Sequence, residues 1–326
     1  MIKEFKNKTL LITGGTGSLG KSLINELLKK KYALKKIIIY SRDELKQHEL
    51  KIFYPTKKYP SLRFFIGDIR DRERLSFALR DTDIVIHAAA LKQVESSEYN
   101  PFEFVKTNVT GTQNVVDACL SSNVKKAILV STDKAVAPAN LYGATKLCAE
   151  KIFISSDNIK GKQKIAFAVV RYGNVLGSRG SVLHEFIKQK KNGKFFITDL
   201  EMTRFDMKLE QSVNFVINST LIAKGGEIFV PKLPSFYIKD LAKAICAKTA
   251  LKEIGAKPGE KIHEVLMSVN EYCRAVENKN FYIIRSGYKK IFTKNIKNKF
   301  EYSSINNKSF LTIAELRNNI KYFLKN

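Results

Sequence analysis

Short, almost unbroken runs of Ile, Val, Leu and other strand-forming residues alternate along the chain with stretches of helical period. The runs are Thr9–Thr13, Lys36–Tyr40, Arg63–Ile66, Asp83–His87, Lys126–Ser131, Ile165–Val170 and Glu227–Val230. A strand with one wet face alternates apolar and polar residues, whereas one covered on both faces reads as a continuous apolar run. Between the runs lie amphipathic segments such as the one from Gly20 to about Lys31. Buried strands separated by helices predict an α/β protein with a doubly wound parallel sheet.

Composition narrows the setting. The 326 residues, 44% of them hydrophobic, suffice for one large domain with an annex. No apolar run is long enough to cross a bilayer, and Met1–Lys6 lacks the features of a secretory signal, so a soluble cytoplasmic protein is expected. Cys119, Cys148, Cys246 and Cys273 are widely spaced, as reduced thiols packed like small hydrophobes would be. They form no metal set with His87, His184 or His263, so no metal is expected. The net charge of +26 is partly local, with eleven Lys/Arg against Glu301 and Glu315 over residues 279–326. There the lysines are interleaved with Phe281, Tyr282, Ile283, Ile284, Ile291 and Phe292, which reads as folded structure rather than a nucleic-acid-binding tail. A positive field also suits a diphosphate-bearing substrate.

The first run leads straight into Thr13-Gly14-Gly15-Thr16-Gly17-Ser18-Leu19-Gly20, where a helix begins. Gly14 permits the tight turn, Gly17 lets backbone approach a pyrophosphate, and Gly20 allows close strand–helix packing. The helix N-terminus then directs its N–H groups at phosphate, the arrangement of a Rossmann dinucleotide site. After the second run comes Ser41-Arg42-Asp43-Glu44-Leu45-Lys46. Ser41, Arg42 and Lys46 suit a 2′-phosphate and hence NADP over NAD, while Asp43 keeps open the reading of this stretch as a solvated loop. Asp68 is placed to meet the adenine, and Ala88-Ala89-Ala90 leaves room for the cofactor to pass. Residues 1–175 are accordingly expected to form the NADP-binding Rossmann domain, with 205–230 returning to it. Residues 176–204 and 231–326 then make a smaller, mainly C-terminal substrate-binding lobe.

Downstream of the fifth run stand Ser131-Thr132-Asp133-Lys134 and then Tyr142-Gly143-Ala144-Thr145-Lys146. Tyr142 and Lys146, four apart, share one helix face. An ammonium beside the phenol would lower its pKa toward working pH, making Tyr142 a base, and Lys146 would also bind the nicotinamide ribose. Asp133 and Lys134 taken alone read equally as an ion pair at a strand end.

With these residues in hand the chain resembles the extended short-chain dehydrogenase/reductase superfamily. Within it, the chain looks like the soluble UDP-N-acetylglucosamine 4,6-dehydratases that invert C5 and open pseudaminic acid synthesis. The resemblance spans nearly the whole chain and rests on Thr13–Gly20, Ser41–Glu44, Gly67-Asp68, Ala88–Val94, Ser131–Lys134, Tyr142–Lys146, Arg171–Asn174, Gly177–Val182, Met202–Phe205 and Gly259–Glu264. It implies that Tyr142 takes the sugar 4-hydroxyl proton while C4 is oxidised. Lys134 then removes the C5 proton and Asp133 protonates the departing 6-hydroxyl, before C6 is reduced and C5 reprotonated. An adjacent acid and base suit elimination across adjacent carbons. Lys134 must be partly neutral for this, which burial near Lys146 would favour.

The resemblance further implies cofactor contacts from Thr16, Ser18, Leu19, Ile69, Lys92 and Asn108. It also implies substrate contacts from Lys92, Lys134, Asn174, Val182, Thr198, Met202, Arg204, Lys257 and Glu260, with Arg204 a forked donor to the diphosphate. It suggests a homo-oligomer, a dimer or a hexamer, acting on a UDP-sugar without nucleic acid or membrane. Two positions depart from the family pattern. Lys257 replaces an arginine, and Asp206 puts a charge where an aromatic or aliphatic residue is expected near the sugar pocket. Two other functions compete: a nucleotide-sugar epimerase, which needs no Asp133-Lys134 pair, and a non-catalytic NADP-sensing or nucleic-acid-binding protein.

Overall fold

A computed structural model describes residues 4–30, 32–177, 182–190, 193–286 and 300–325. The expected helix end at Lys31, the Ser178–Ser181 part of the glycine-serine motif, and Ile291 and Phe292 of the basic stretch lie outside the described residues.

The strands β1 (Thr9–Thr13), β2 (Lys36–Ser41), β3 (Leu62–Ile66), β4 (Ile84–His87), β5 (Lys126–Thr132), β6 (Ala166–Tyr172) and β9 (Glu227–Pro231) form the parallel part of one sheet, ordered β3-β2-β1-β4-β5-β6-β9. All seven fall on the expected runs. Their continuous apolarity has the expected cause: Leu10 and Ile12 face one layer, Leu11 the other. The first layer holds α1 (Ser18–Lys29) and α9 (Leu209–Ile222), through Leu23, Ile24, Val213 and Val216. The second holds α3 (Arg72–Ala78), α6 (Gly111–Leu120) and α7 (Leu141–Ile159), through Leu75, Val115 and Phe153. Reversal of strand order between β1 and β4 opens a crevice at the carboxyl ends of the strands, where ligands bind in such sheets.

Beyond β9 the sheet continues antiparallel, through β14 (Phe281–Arg285) and β13 (Ala275–Glu277). The sequence reading placed these residues in the lobe. They join the sheet because β9 would otherwise leave an edge of unpaired backbone groups, and because Tyr282 and Ile284 bury into a core shared with Phe205 and Val230.

The lobe has its own core of Leu183, Phe186, Phe195, Phe236, Leu241 and Leu316. It is assembled from α8 (Val182–Gln189), β7 (Lys194–Ile197) paired with β11 (Ala250–Glu253), β8 (Thr203–Phe205) paired with β10 (Ser235–Tyr237), α10 (Ile238–Ile245) and α12 (Ile313–Lys325). Between lobe and sheet run β12 (Val265–Met267), its partner β15 (Tyr302–Ser303) and the one-turn α11 (Val269–Tyr272). No helix among the described residues is long and apolar enough to cross a membrane.

Two buried charges have structural work. Arg171 on β6 is fully buried. It grips Glu150 of α7 at 2.6 Å, Glu271 of α11 at 3.0 Å and the Leu266 carbonyl of β12 at 2.9 Å. Breaking a buried ion pair from one side strands the remaining charges. Arg171→Met should therefore cost about 3–5 kcal/mol, read as a lower urea midpoint, and an unchanged midpoint would contradict this role.

Asp206, expected near the sugar pocket, instead lies between β8 and α12. One carboxylate oxygen accepts from Asn319 at 2.9 Å, and the other is buried without a partner. Burial pushes its pKa up to about 6, although Lys208 and Asn319 pull it down. The folded state thus binds this proton more tightly than the unfolded chain, so stability is lost as pH rises through about 6. Asp206→Asn should raise stability by up to about 3 kcal/mol at neutral pH, with a gain that shrinks toward pH ~4; a pH-independent effect on the melting temperature would refute the cause.

Candidate active site

The glycine turn follows from contacts at the end of β1. Gly14 has φ +68°, and a Cβ there would lie 2.9 Å from the Ala89 backbone. A Cβ on Gly20 would lie 2.5 Å from Gly15, so only glycine lets α1 sit this close to the turn. Gly17 starts α1 with no side-chain cap, which leaves the helix N-terminus formed by Ser18 and Leu19 to an external acceptor. These features fit a dinucleotide pyrophosphate.

Thr13 and His87 hold β1 and β4 together beneath that turn. The N–H groups of Ala88 and Ala89 donate to Thr13 Oγ1 at 3.2 Å, so the threonine hydroxyl donates to His87 Nδ1 at 2.7 Å. His87 Nε2 then carries the proton and donates to Thr112 at 3.1 Å, whose hydroxyl donates to the Asn108 carbonyl at 2.6 Å. Burial, aided by Lys146, drives the His87 pKa down to about 3 and keeps the ring neutral. His87 is the packed, hydrogen-bonded residue expected from the sequence. Asn108, expected at the cofactor, is braced within the protein. Its amide bonds the Leu91 N–H and carbonyl, both at 2.9 Å, and Thr145 Oγ1 at 3.0 Å.

At the far end of the cradle Ser41 bonds Thr16 at 2.7 Å. Asp43 caps α2 (Glu44–Phe53), accepting from the Lys46 backbone at 3.0 Å, and its other oxygen pairs with the Lys46 ammonium. Lys46 is therefore committed to Asp43. Arg42, half exposed, lies 3.6 Å from Asp68. Burial raises the Asp68 pKa, but Arg70 and Arg42 outweigh it and keep the carboxylate ionised. Ile69 is buried against Gly111, Ala88–Ala90 are half-buried, and Lys92 is exposed beyond them.

The reacting groups gather after β5. Thr132 ends the strand and Asp133–Ala135 form one tight turn. Asn140 caps α7 by accepting from Gly143 N–H at 2.8 Å, which sets Tyr142 and Lys146 in its first turns. Asp133 is fully buried. One of its oxygens takes the Thr132 hydroxyl at 2.8 Å and Lys134 Nζ at 3.2 Å, and the other has no partner. Burial and then Glu264 raise its pKa, against Lys134, so the carboxyl favours the protonated form.

Two sequence expectations need correcting. Lys146 does not lower the Tyr142 pKa. Its ammonium donates to the Val130 carbonyl at 2.8 Å, and burial lowers its own pKa to about 8. Tyr142 is itself pushed up to about 12 by burial; the cation opposing this is Lys134, helped by a Thr132 hydrogen bond. Nor is Lys134 made neutral. Burial works in that direction, but Asp133 and Glu264, the latter at 2.9 Å, more than offset it and hold the ammonium charged.

A second group comes from the lobe. Arg204 is nearly buried, with Nη1 spent on the Thr203 and Ile262 carbonyls at 2.8 and 2.9 Å. Its Nη2 reaches Glu260 at 3.8 Å and Nε reaches Glu264 at 3.7 Å, so it is no surface pair. Glu260 in turn receives the Thr198 hydroxyl and the Lys257 N–H, both at 3.4 Å. Thr198, Arg204, Lys257 and Glu260 are thus brought together as expected. Asn174 is exposed just past β6, Val182 opens α8, and Met202 is buried in the lobe core.

Glu264 joins the two groups, and sequence reasoning missed it. It is 2% exposed and touches both Lys134 and Arg204, and its second oxygen is buried without a partner. It lay inside the Gly259–Glu264 motif, but only the fold shows that it faces inward.

The chain matches the family model described as polysaccharide biosynthesis protein over residues 10–286. It is 48% identical to "UDP-N-acetylglucosamine 4,6-dehydratase (inverting)" of Campylobacter jejuni, covering 96% of this chain and 97% of that protein. A "UDP-glucose 4-epimerase" of Rickettsia bellii is 42% identical, covering 86% of this chain and 83% of that one. The crystal structure of Pen from Bacillus thuringiensis superposes with a TM-score of 0.88 at 41% identity, covering 98% of this chain and 99% of that one. Full-length similarity and the largely buried cluster of Asp133, Lys134 and Tyr142 after β5 lead to one assignment: the chain belongs to the polysaccharide biosynthesis protein family, alongside the inverting UDP-N-acetylglucosamine 4,6-dehydratases.

Proposed function

We propose that the protein dehydrates UDP-N-acetylglucosamine to a UDP-4-keto-6-deoxy-N-acetylhexosamine with inversion at C5, using NADP that is regenerated in each cycle. The observation that carries this reading is the pairing, at 3.2 Å, of the fully buried Asp133 carboxyl with Lys134 Nζ beside Tyr142. Loss of water across C5–C6 needs an acid at O6 and a base at C5, whereas epimerisation at C4 needs neither.

The glycine turn Gly14–Gly20 and the uncapped N-terminus of α1 would hold a nicotinamide dinucleotide, which would supply reversible two-electron oxidation of C4. Tyr142 holds the 4-hydroxyl and accepts its proton, with Lys134 and the Thr132 hydrogen bond favouring the phenolate. Lys146 stands one helical turn away to orient the ribose. The C5–H bond breaks with its proton passing to the Lys134 amine, a C5=C6 bond forms, and the 6-oxygen leaves as water carrying the Asp133 proton. The proton taken up from O4 balances the one released with that water, and return of the C4 hydride to C6 with protonation of C5 on its opposite face would then give the 6-deoxy product. Arg204, Lys257, Glu260 and Thr198 hold the diphosphate and ribose, and the excess of basic residues favours such an anion.

For the cofactor, Asp43 is occupied as a helix cap, so it does not compete for a ribose hydroxyl, while Arg42 stays half exposed beside the cradle. This supports NADP over NAD. Arg42→Ala should weaken NADP binding about tenfold and leave NAD binding nearly unchanged, as measured by fluorescence titration; equal losses would point to NAD. A 4-keto-6-deoxy sugar with inverted C5 suits entry to pseudaminic acid synthesis.

Proton NMR of a reaction in D₂O with UDP-N-acetylglucosamine and trace NADP tests the function. A 4-keto-6-deoxy product deuterated at C5, with ring couplings showing inversion, is expected. Deuterium-free interconversion at C4 would establish the epimerase instead. Lys134→Ala should reduce product formation by about 100-fold or more while UDP still binds; near-normal turnover would remove Lys134 from the chemistry.

A further inference from the structure

The proposed chemistry requires Lys134 to be a neutral amine when it meets C5, yet the structure holds it as an ammonium between the carboxyl groups of Asp133 and Glu264. Its proton needs an acceptor. Asp133 is unsuited, because it must itself carry a proton for the leaving oxygen. Glu264 is 2.9 Å away, and its second oxygen is buried with no hydrogen-bond partner among the described residues, so that it can carry a proton.

We propose that Glu264 takes the Lys134 proton, and that the substrate diphosphate triggers this transfer by neutralising Arg204. The proposal rests on the dehydratase reading given above. The charged and titratable groups facing Glu264 are Lys134 and Asp133 after β5, Tyr142 on α7, Arg204 on β8 and Lys261 just before it in sequence. Burial alone would raise the Glu264 pKa, but Lys134, Arg204 and Lys261 together hold it down. Arg204 is anchored by two backbone carbonyls, so it need not move. Diphosphate charge placed against its outer face cancels much of the field that keeps Glu264 ionised.

The proton then passes from the Lys134 ammonium to the Glu264 carboxylate, leaving a neutral amine and a neutral acid. After elimination Lys134 again bears a proton, now taken from C5. Once Lys134 has released that proton to solvent and C5 has been reprotonated on its opposite face, as inversion requires, Glu264 returns its own proton to Lys134 and restores the starting pair. A free base is thus generated only when a nucleotide sugar is in place. Glu264 acts through Lys134 and is a positioning residue in this scheme.

Glu264→Gln keeps the size of the side chain and an oxygen for Lys134 but accepts no proton at physiological pH. In the variant kcat should fall about 100-fold with KM within about threefold, and activity should recover as pH rises, because solvent must now deprotonate Lys134. C5 deuterium wash-in should fall in parallel, while oxidation at C4, followed as cofactor absorbance in a single turnover, should persist. Unchanged kcat with an unchanged pH profile would overturn the proposal but leave the dehydratase reading intact. Failure of the wild-type protein to form a keto-deoxy sugar would bring down that reading itself. Should the variant not fold, infrared difference spectra of the wild-type protein decide. Adding UDP alone should produce a new protonated-carboxyl band, and its absence would refute the trigger.

Discussion

The site depends on the buried grip of Arg171 on Glu150 and Glu271. Glu150 stands on the same stripe of α7 as Tyr142 and Lys146, one and two turns further along. Glu271 and the Leu266 carbonyl belong to the segment that follows Glu264. One guanidinium therefore fixes the helix carrying the phenol and the segment that follows Glu264 to the same point of β6. Such charges are costly to bury, and a forked, fully paired arginine is among the few ways to do so while fixing direction.

From that anchor a continuous chain of charge crosses the crevice: Asp133, Lys134, Glu264, Arg204, Glu260. The sheet supplies its first members and the lobe its last. The two carboxyl groups are kept distinct by surroundings rather than by residue type, since burial raises the pKa of Asp133 while neighbouring cations lower that of Glu264, almost as enclosed.

The parallel sheet was legible because two-sided burial writes itself as unbroken apolar runs, and the cradle because its glycines meet backbone that no side chain could clear. Tyr142, Lys146, Asp133 and Arg204 were legible as types at telling spacings. The edge strands β13 and β14 were not, since Phe281–Arg285 sits in a lysine-rich stretch and finds its partner β9 only through tertiary pairing. The electrostatic errors share one origin. Sequence places Lys146 four residues from Tyr142, but direction decides which charge is felt, and Lys146 turns to the Val130 carbonyl while Lys134 faces the ring. Glu264 was hidden for the same reason: its partners lie 130 and 60 positions away along the chain.

The three hydrogen bonds of the Asn108 amide carry a mechanical consequence. Two hold the segment after β4 at Leu91 and the third ties Asn108 to Thr145 of α7, so peeling that segment away would break two at about 0.5–1.5 kcal/mol each, and more where the broken groups stay dry. The cofactor side of the crevice is therefore a rigid jaw. The opposite side hangs from paired strands only three or four residues long. On the proposed function, any opening that admits a nucleotide sugar falls to that lightly tethered half and not to the side braced by Asn108.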